Sequence, residues 1–219
     1  MPFSAVLFDL DGTLLDTLAD VADATNAALA QLGFPPHPVE AFKYFIGDGM
    51  EQLARRALGP GPHDPELVAR CVERIRQEYA RCWDCKTQPY AGVSELLDQL
   101  ASRGIPMAVL SNKPQDFTQL CVQRLLGRWR FDAVVAAGGQ FPPKPHPAAA
   151  RCIAQLLKVP PPQIVYLGDT NTDMQTATAA GMYPVGALWG FRPAEELRAS
   201  GAQKLIAQPL ELLSLLESQ

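Results

Sequence analysis

The stretch that decides the fold of this chain is SAVLFDLDGT, residues 4–13. Its first half is an uninterrupted apolar run, which is typical of a β-strand buried on both faces of a parallel sheet. Its second half places Asp9 and Asp11 directly after that strand, followed by Gly12, which permits a tight turn. Ligands of open α/β sheets bind beyond the carboxyl ends of the strands. The stretch therefore predicts a strand of the sheet and a polar site at its end.

The pattern of apolar run and polar end recurs along the chain. Further strands are predicted at 106–110, 133–136, 164–167 and 183–187, and helices at 93–102, 116–126, 148–157 and 173–180. This alternation predicts an α/β fold with a Rossmann-like, doubly wound parallel sheet.

One region interrupts the alternation. From about Leu18 to Thr87 no good strand is found, and apolar residues recur at helical spacing. Asp64 and Pro65 form the start signal of one of these helices. We therefore predict a small α-helical cap domain inserted into a discontinuous core. The expected cap is 17–87, and the expected core is 1–16 with 88–219.

Length and composition agree with this division. At about 150 residues per domain, 219 residues correspond to about one and a half domains. The net charge of −4 gives no global attraction for nucleic acid or for an anionic membrane. No apolar run approaches the roughly 20 residues of a membrane span, and no export signal is evident. We expect a cytoplasmic monomer or homodimer that binds neither nucleic acid nor membranes.

The five cysteines, an odd number, indicate reduced thiols. Cys82 and Cys85 have the spacing of a redox motif, and His63 and Cys71 lie near enough in sequence for a zinc site to be considered. However, Cys82 and Cys85 follow a helical pattern and not the strand that precedes a redox motif. His63 and Cys71 lack the spacing of a pair of zinc ligands. We expect four to five buried or half-buried thiols.

Polar side chains follow three predicted strands and occupy one further loop. They comprise four carboxylates, one hydroxyl and one lysine: Asp9, Asp11, Ser111, Lys144, Asp169 and Asp173. Four close carboxylates repel one another, and a hard cation such as Mg²⁺ relieves this repulsion. The cation, lysine and hydroxyl would bind a phosphate group. Any one of these residues alone could be a helix cap or a solvated loop residue, but their order along the chain favours a site.

The same residues carry a family resemblance. DLDGTL at 9–14 resembles the first motif of the haloacid dehalogenase-like hydrolase superfamily, and Ser111, Lys144 and the pair Asp169 and Asp173 resemble its other three. The inserted helices are similar to the small cap of that superfamily. Within it, the chain is most similar to phosphoglycolate phosphatases, on residues 45–49, 111–114, 144–147, 168–182 and 189–191.

The resemblance implies a Mg²⁺-dependent phosphatase that acts on a small phosphorylated metabolite, with phosphoglycolate favoured. It makes Asp9 the nucleophile that becomes an aspartyl-phosphate and Asp11 the general acid and base. The implied metal ligands are Asp9, the Asp11 backbone carbonyl, Asp169 and Asp173. The implied phosphate-binding residues are Ser111, Asn112, Lys144, Gly12 and Thr13. The implied cap loop that closes over the site is Gly47, Asp48 and Gly49.

Two positions depart from the phosphoglycolate phosphatase pattern. Ser111 stands where Thr is usual, which keeps the hydroxyl, and Asp48 stands where Asn is common. Asp48 adds a negative charge that opposes a carboxylate substrate. Lys43 could offset that charge, whereas we expect Arg55 and Arg56 to be solvated helix charges.

Other functions stay open at this point. Within the superfamily they are a phosphatase for sugar or nucleoside monophosphates, a pyrophosphatase and a phosphosugar mutase. A non-catalytic receiver-like phospho-acceptor module is an alternative of another class. Residue order disfavours it, because its acceptor aspartate lies on a later strand.

Overall fold

The computed structural model describes residues 3–136 and 139–217. Its strands are β1 Ala5–Phe8, β2 Leu15–Asp16, β3 Gln88–Pro89, β4 Met107–Ser111, β5 Ala133–Ala136, β6 Ile164–Gly168, β7 Tyr183–Ala187 and β8 Lys204–Ile206. Six of them form one parallel sheet in the order β5-β4-β1-β6-β7-β8. The chain fills the sheet outward from β1 in both directions, so the predicted doubly wound α/β fold is confirmed. The short strand β8, which begins with an exposed lysine, was not predicted.

The apolar run of β1 is buried on both faces, as its composition predicts. Val6 and Phe8 belong to the hydrophobic core on one face of the sheet, and Ala5 and Leu7 belong to the core on the other. All four side chains are completely buried. Because β1 lies between β4 and β6, the polar residues that follow these three strands meet at one edge of the sheet.

Helices lie on both faces of this sheet and in the inserted region. They are α1 Leu18–Gln31, α2 Phe42–Phe45, α3 Met50–Ala57, α4 Pro65–Cys82, α5 Val93–Ser102, α6 Gln115–Leu125, α7 Ala148–Leu157, α8 Asn171–Ala180, α9 Ala194–Ala199 and α10 Leu213–Glu217. Helices α5 and α6 pack on the Phe8 face, and α7 and α8 pack on the Leu7 face. Across 3–136 and 139–217, no helix is long and apolar enough to cross a membrane.

The first four helices pack mainly against one another. Helix α1 packs against α4, and α3 packs beside them. The start of α4 follows the sequence signal, because Asp64 accepts a hydrogen bond from the backbone N–H of Glu66 at 2.9 Å. The chain enters this helical region through β2 and leaves it through β3, and these two strands pair antiparallel. We propose 17–87 as the cap, because β2 ends at Asp16 and β3 begins at Gln88.

A buried aspartate ties the exit of the helical region to its first helix. Asp20 on α1 is 1% exposed and accepts hydrogen bonds from the backbone N–H groups of Lys86 and Thr87 and from the Thr87 hydroxyl, at 2.7 to 3.1 Å. Hydrogen bonds to a buried charged group are among the stronger ones in proteins. Asp20 therefore fixes the path of the chain from the end of α4 to β3.

We expect Asp20→Ala to lower the free energy of unfolding by about 2–4 kcal/mol, because it leaves three donors without an acceptor. Urea unfolding measures this loss. Asp23→Ala is the matched control, since Asp23 lies on the same helix and forms an exposed ion pair with Lys86, and it should cost much less. Equal losses in the two variants would show that Asp20 has no special role.

Candidate active site

Three neighbouring strand ends supply the centre of the site. Asp9 follows β1, Ser111 is the last residue of β4, and Asp169 follows β6. The backbone N–H of Asp9 donates to the Leu167 carbonyl at 2.9 Å, which continues the pairing of β1 with β6 by one residue. All three residues are buried. The sequence placed these residues at one edge of the sheet, and the structure brings them together there.

Lys144 joins this centre from the proline-rich loop before α7. Its Nζ lies 2.6 Å from Asp9 Oδ1, 2.6 Å from Asp173 Oδ1 and 3.3 Å from the Leu110 carbonyl. These three acceptors use all three protons of the ammonium group. Although burial alone lowers the pKa of Lys144, the carboxylates of Asp173 and Asp9 raise it well above its ordinary value. Lys144 is therefore a fixed cation beside Asp9.

Three carboxylates of the site form a buried cluster. One oxygen each of Asp9, Asp169 and Asp173 lies within 4.8 Å of the others. Burial, and then repulsion from Asp173, raises the pKa of Asp9 well above its usual range and that of Asp169 to about 7. The cluster of oxygen ligands suits a hard divalent cation, which would relieve this repulsion. The predicted metal-binding residues Asp9 and Asp169 thus fit Mg²⁺.

Asp169 is held in place by the loops around it. The Thr13 hydroxyl donates to its Oδ1 at 2.9 Å, and the Phe191 N–H donates to its Oδ2 at 2.8 Å. A Cβ at Gly12 or Gly190 would lie only 2.3 or 2.2 Å from Asp169 side-chain atoms. Glycine at both positions therefore allows the backbone to lie close to the Asp169 side chain. The Thr13 side chain is buried against Asp169, and the predicted contacts of Gly12 and Thr13 with phosphate stay predictions.

Asp173 has all of its hydrogen-bonding capacity engaged by the protein. Its Oδ1 accepts from Lys144 and, at 3.3 Å, from the Tyr166 hydroxyl, and its Oδ2 accepts from the N–H and hydroxyl of Thr170. It also completes the capping box of α8 with Thr170. This geometry favours orientation of Lys144 as the role of Asp173. Its contact with the metal, direct or through water, stays a prediction.

Ser111 and Asn112 form the wall next to the lysine. The Ser111 oxygen accepts from the Lys113 N–H at 3.1 Å, so its own proton remains for a ligand. The Asn112 side chain donates to the Gly47 and Lys144 carbonyls and accepts from the Lys144 N–H at 2.8 Å. Asn112 therefore links the lysine loop to the cap loop through its side chain, a role that sequence reasoning missed.

A second buried lysine lies beside Asp11. Lys113 Nζ is 2.9 Å from Asp11 Oδ1 and 4.6 Å above the ring of Tyr79, which comes from α4. Burial alone lowers the pKa of Lys113, but Asp11, Tyr79 and Cys121 together raise it above its ordinary value. Burial raises the pKa of Tyr79 as well. The sequence motif contained Lys113, but only its contact with Asp11 across 102 positions of sequence reveals its place in the site.

The cap loop differs from the prediction at its central residue. Gly47 and Gly49 line the cavity above Asp9, but Asp48 is not among the lining residues. Its Oδ2 pairs with Arg56 at 2.5 Å, and its Oδ1 accepts from the Thr172 hydroxyl at 2.9 Å. The expectation that Asp48 faces the substrate is therefore corrected, as is the expectation that Arg56 is only a solvated charge. Asp48 instead fastens the cap loop to α8.

Lys43 and Arg55, the other two cations considered near Asp48, have partners of their own. Arg55 forms an ion pair with Glu51 on the same helix, as expected for a solvated helix charge, and Lys43 pairs with Glu40. Neither offsets the charge of Asp48.

Arg192 makes a second connection between the sheet domain and the cap loop. This buried residue follows β7, and its guanidinium donates to the backbone carbonyls of Lys43 and Ile46. It also pairs with Glu196 and lies over the ring of Tyr44. Because these acceptors are backbone groups, no sequence pattern of the cap identifies them.

The cavity of the site separates polar from apolar walls. The sheet edge and its loops contribute Asp9, Asp11, Ser111, Asn112, Lys113, Pro114, Lys144 and Thr170. The helical region contributes Val21, Ile46, Gly47, Gly49, Met50, Leu53, Ile75 and Tyr79. Apart from the tyrosine hydroxyl, the cap side chains that line the cavity are therefore apolar.

The cysteine pair lies elsewhere. Cys82 is half-buried at the end of α4, and Cys85 is exposed. The only cluster able to hold a metal ion in the described parts of the chain is the one formed by Asp9, Asp169 and Asp173. A zinc site at the cysteines thus finds no ligand cluster among these residues.

Comparison with known proteins agrees with the geometry. A family model described as haloacid dehalogenase-like hydrolase matches residues 6–187. The chain belongs to the haloacid dehalogenase-like hydrolases. A phosphoglycolate phosphatase of Pseudomonas putida is 35% identical to it over 207 residues, which cover 92% of this chain and 75% of the relative. One from Nitrosospira multiformis is 30% identical over 220 residues, covering 99% and 97% of the two chains. The predicted resemblance, and the class of phosphoric monoester hydrolase, are confirmed.

Solved structures with the same fold include the following two. A protein from Lactobacillus delbrueckii subsp. bulgaricus, provisionally named a phosphoglycolate phosphatase, superposes with a TM-score of 0.91 at 32% identity and full coverage of both chains. CbbY from Rhodobacter sphaeroides, solved with phosphate, superposes with a TM-score of 0.82 at 24% identity, covering 98% of this chain and 99% of its own. At that identity the second comparison concerns the fold alone.

Proposed function

We propose that this hydrolase releases phosphate from a small phosphate monoester, with phosphoglycolate as the favoured substrate and Mg²⁺ as the cofactor. One observation carries the proposal. The Asp9 carboxylate lies in the wall of a cavity, bound to Lys144 at 2.6 Å, and Asp169 and Asp173 complete a buried acidic cluster. A carboxylate fixed between a cation and a metal-binding cluster is suited to attack a phosphoryl group.

The first step forms a bond between an Asp9 oxygen and phosphorus. The bond between phosphorus and the ester oxygen breaks, and that oxygen leaves with a proton from Asp11. The result is an aspartyl-phosphate and the free alcohol. Lys144 binds one oxygen of Asp9 and so fixes the direction of attack, and the Ser111 hydroxyl can donate to a phosphoryl oxygen.

The second step releases phosphate. Asp11, now ionised, takes a proton from a water molecule, whose oxygen attacks phosphorus and displaces the Asp9 carboxylate. Lys113 contacts Asp11 at 2.9 Å and limits its orientations between the two steps. The cap loop, which is tied to the core through Asn112 and Arg192, closes the cavity against bulk water.

The acidic cluster would hold the metal ion. Asp9 and Asp169 would supply side-chain oxygens, Asp11 would supply its backbone carbonyl, and Asp173 would make a direct or water-mediated contact. When bound, Mg²⁺ neutralises charge on the phosphoryl oxygens and on the cluster itself.

The choice of phosphoglycolate is supported by the relatives and by the cavity. The relatives from Pseudomonas putida and Nitrosospira multiformis are named phosphoglycolate phosphatases. The apolar cap wall offers few partners for the many hydroxyls of a sugar phosphate, which favours a short leaving group. The charge of Asp48 does not oppose a carboxylate substrate, since Arg56 neutralises it. Cytoplasmic location and the monomeric or homodimeric state stay predictions.

Removal of divalent cations should abolish phosphate release from phosphoglycolate, and added Mg²⁺ should restore it. Mg²⁺ should also raise the unfolding temperature, because a ligand that binds only the folded state stabilises that state. Asp169→Asn serves as the control and should lose most of this stabilisation. Hydrolysis that continues at full rate in excess chelator would contradict the assignment of the cluster as a metal site.

A further inference from the structure

Two buried polar groups on the Asp11 side of the cavity have unused hydrogen-bonding capacity. Among the described residues, Lys113 Nζ has one hydrogen-bond acceptor, Asp11 Oδ1, whereas Lys144 Nζ has three. Tyr79 is 2% exposed, and its hydroxyl, whose polar neighbours are Lys113 and Cys121, makes no hydrogen bond of normal geometry among the described residues. Buried polar groups are rarely left without partners, so these two suggest a ligand.

The two groups belong to one place in the cavity. Lys113 lies 4.6 Å above the ring of Tyr79, and both residues line the cavity together with Asp11. Because Asp11 gives its proton to the ester oxygen, this part of the cavity receives the leaving group and not the phosphoryl group. Lys144 and Ser111 lie on the Asp9 side and serve the phosphoryl oxygens.

The rest of the leaving-group wall is apolar. Helices α1, α3 and α4 and the loop before α3 contribute Val21, Ile46, Met50, Leu53 and Ile75. A polar group on the substrate therefore gains most when it lies against Lys113 and Tyr79. A cation and a neutral hydroxyl, both donors, select an acceptor that carries negative charge.

We propose that Lys113 and Tyr79 bind a carboxylate on the leaving group, separated from the ester oxygen by a single carbon atom. The short spacing follows from Lys113, which contacts the same Asp11 side chain that must reach the ester oxygen. This inference rests on the proposed function and deepens it, because it names the two residues that select a phosphorylated 2-hydroxy acid. One of the two comes from the core and the other from the cap, so the selective site is complete only when the cap lies over the core.

The test compares kcat/KM for phosphoglycolate with kcat/KM for ethyl phosphate, in which a methyl group replaces the carboxylate. The wild-type chain should prefer phosphoglycolate. Tyr79→Phe should lower the preference about tenfold, as expected for one hydrogen bond to a charged group. Lys113→Met should lower it about 100-fold or more, since it removes the cation. Tyr183→Phe, on β7 away from the cavity, is the matched control and should keep the wild-type preference.

The ratio separates recognition from general damage, since a variant that only misplaces Asp11 loses activity toward both esters. Tyr79→Phe removes a buried hydroxyl that makes no hydrogen bond of normal geometry, so the variant should unfold no earlier than wild type. An unchanged ratio in both variants would overturn the proposal, as would a wild-type chain that hydrolyses ethyl phosphate equally well. That last result would leave the phosphatase assignment intact.

A binding measurement keeps the inference separate from turnover. Calorimetric titration of the wild-type chain with phosphoglycolate and with ethyl phosphate, in Ca²⁺ to slow turnover, should give tighter binding of phosphoglycolate that Lys113→Met removes. If neither ester is hydrolysed in Mg²⁺, the proposed function is wrong. A binding preference that depends on Lys113 would still support the carboxylate site, and equal binding of both esters would refute it.

Discussion

Asp9→Asn should lower the rate of phosphate release by about 10⁴-fold or more while the chain keeps its fold. The amide cannot form the acyl phosphate that an attacking carboxylate forms. Asp9 is the one carboxylate of the described site that both follows β1 and contacts Lys144, so no other can replace it. The substitution preserves shape, and it removes a charge that Asp173 and Asp169 repel. Without metal, the unfolding temperature should therefore not fall.

Phosphate release under saturating Mg²⁺ and thermal unfolding followed by circular dichroism measure both parts of this expectation. Asp132→Asn is a matched control, because that aspartate pairs with Arg130 at the surface. It should retain wild-type activity. An Asp9→Asn chain with the fold and a rate within tenfold of wild type would remove Asp9 from the role of nucleophile.

Lys144→Met should abolish activity and destabilise the protein by about 3–5 kcal/mol, because it leaves buried carboxylates without their cation. Lys144 is 4% exposed and lies between Asp9 and Asp173, so no solvent replaces its charge. Mg²⁺ should recover part of the stability, since it can neutralise the same carboxylates, but not the activity.

Urea unfolding with and without Mg²⁺, together with phosphate release, tests this second expectation. Lys204→Met changes an exposed lysine on β8 and should leave both quantities near those of wild type. If Lys144→Met unfolded at the wild-type urea concentration in the absence of metal, the contacts of Lys144 with the two carboxylates would not matter for the fold.

The sequence predicts those parts of the molecule in which local pattern and burial coincide. The run Ala5–Phe8 has no polar residue because both faces of β1 are covered. The end of this apolar run predicts that Asp9 lies at the edge of the sheet. The helix Pro65–Cys82 begins at its predicted cap and proline. Strand β8 escaped prediction because it is three residues long with an exposed lysine.

The sequence does not predict contacts that depend on distant residues. Lys113 meets Asp11 from 102 positions away, and Arg192 reaches backbone carbonyls of the cap loop, which carry no sequence signal. The expectation for Asp48 was wrong for the same reason. The sequence shows the negative charge of Asp48. Its partners Arg56 and Thr172 are set only when α8 and the cap loop come together in the fold. The position of Thr13 on Asp169 likewise follows from the fold and not from the motif.

The central claim, that Asp9 carries the phosphoryl group during turnover, is tested most directly by trapping it. The Asp11→Asn variant, mixed with para-nitrophenyl phosphate and Mg²⁺, should form the intermediate, because nitrophenolate leaves without a proton, and should hydrolyse it slowly for want of a base. After rapid acid quenching, mass spectrometry should find one phosphoryl group per chain, on the peptide that contains Asp9. Release of nitrophenolate over many turnovers with no phosphorylated chain, or with the phosphoryl group on another residue, would contradict the account.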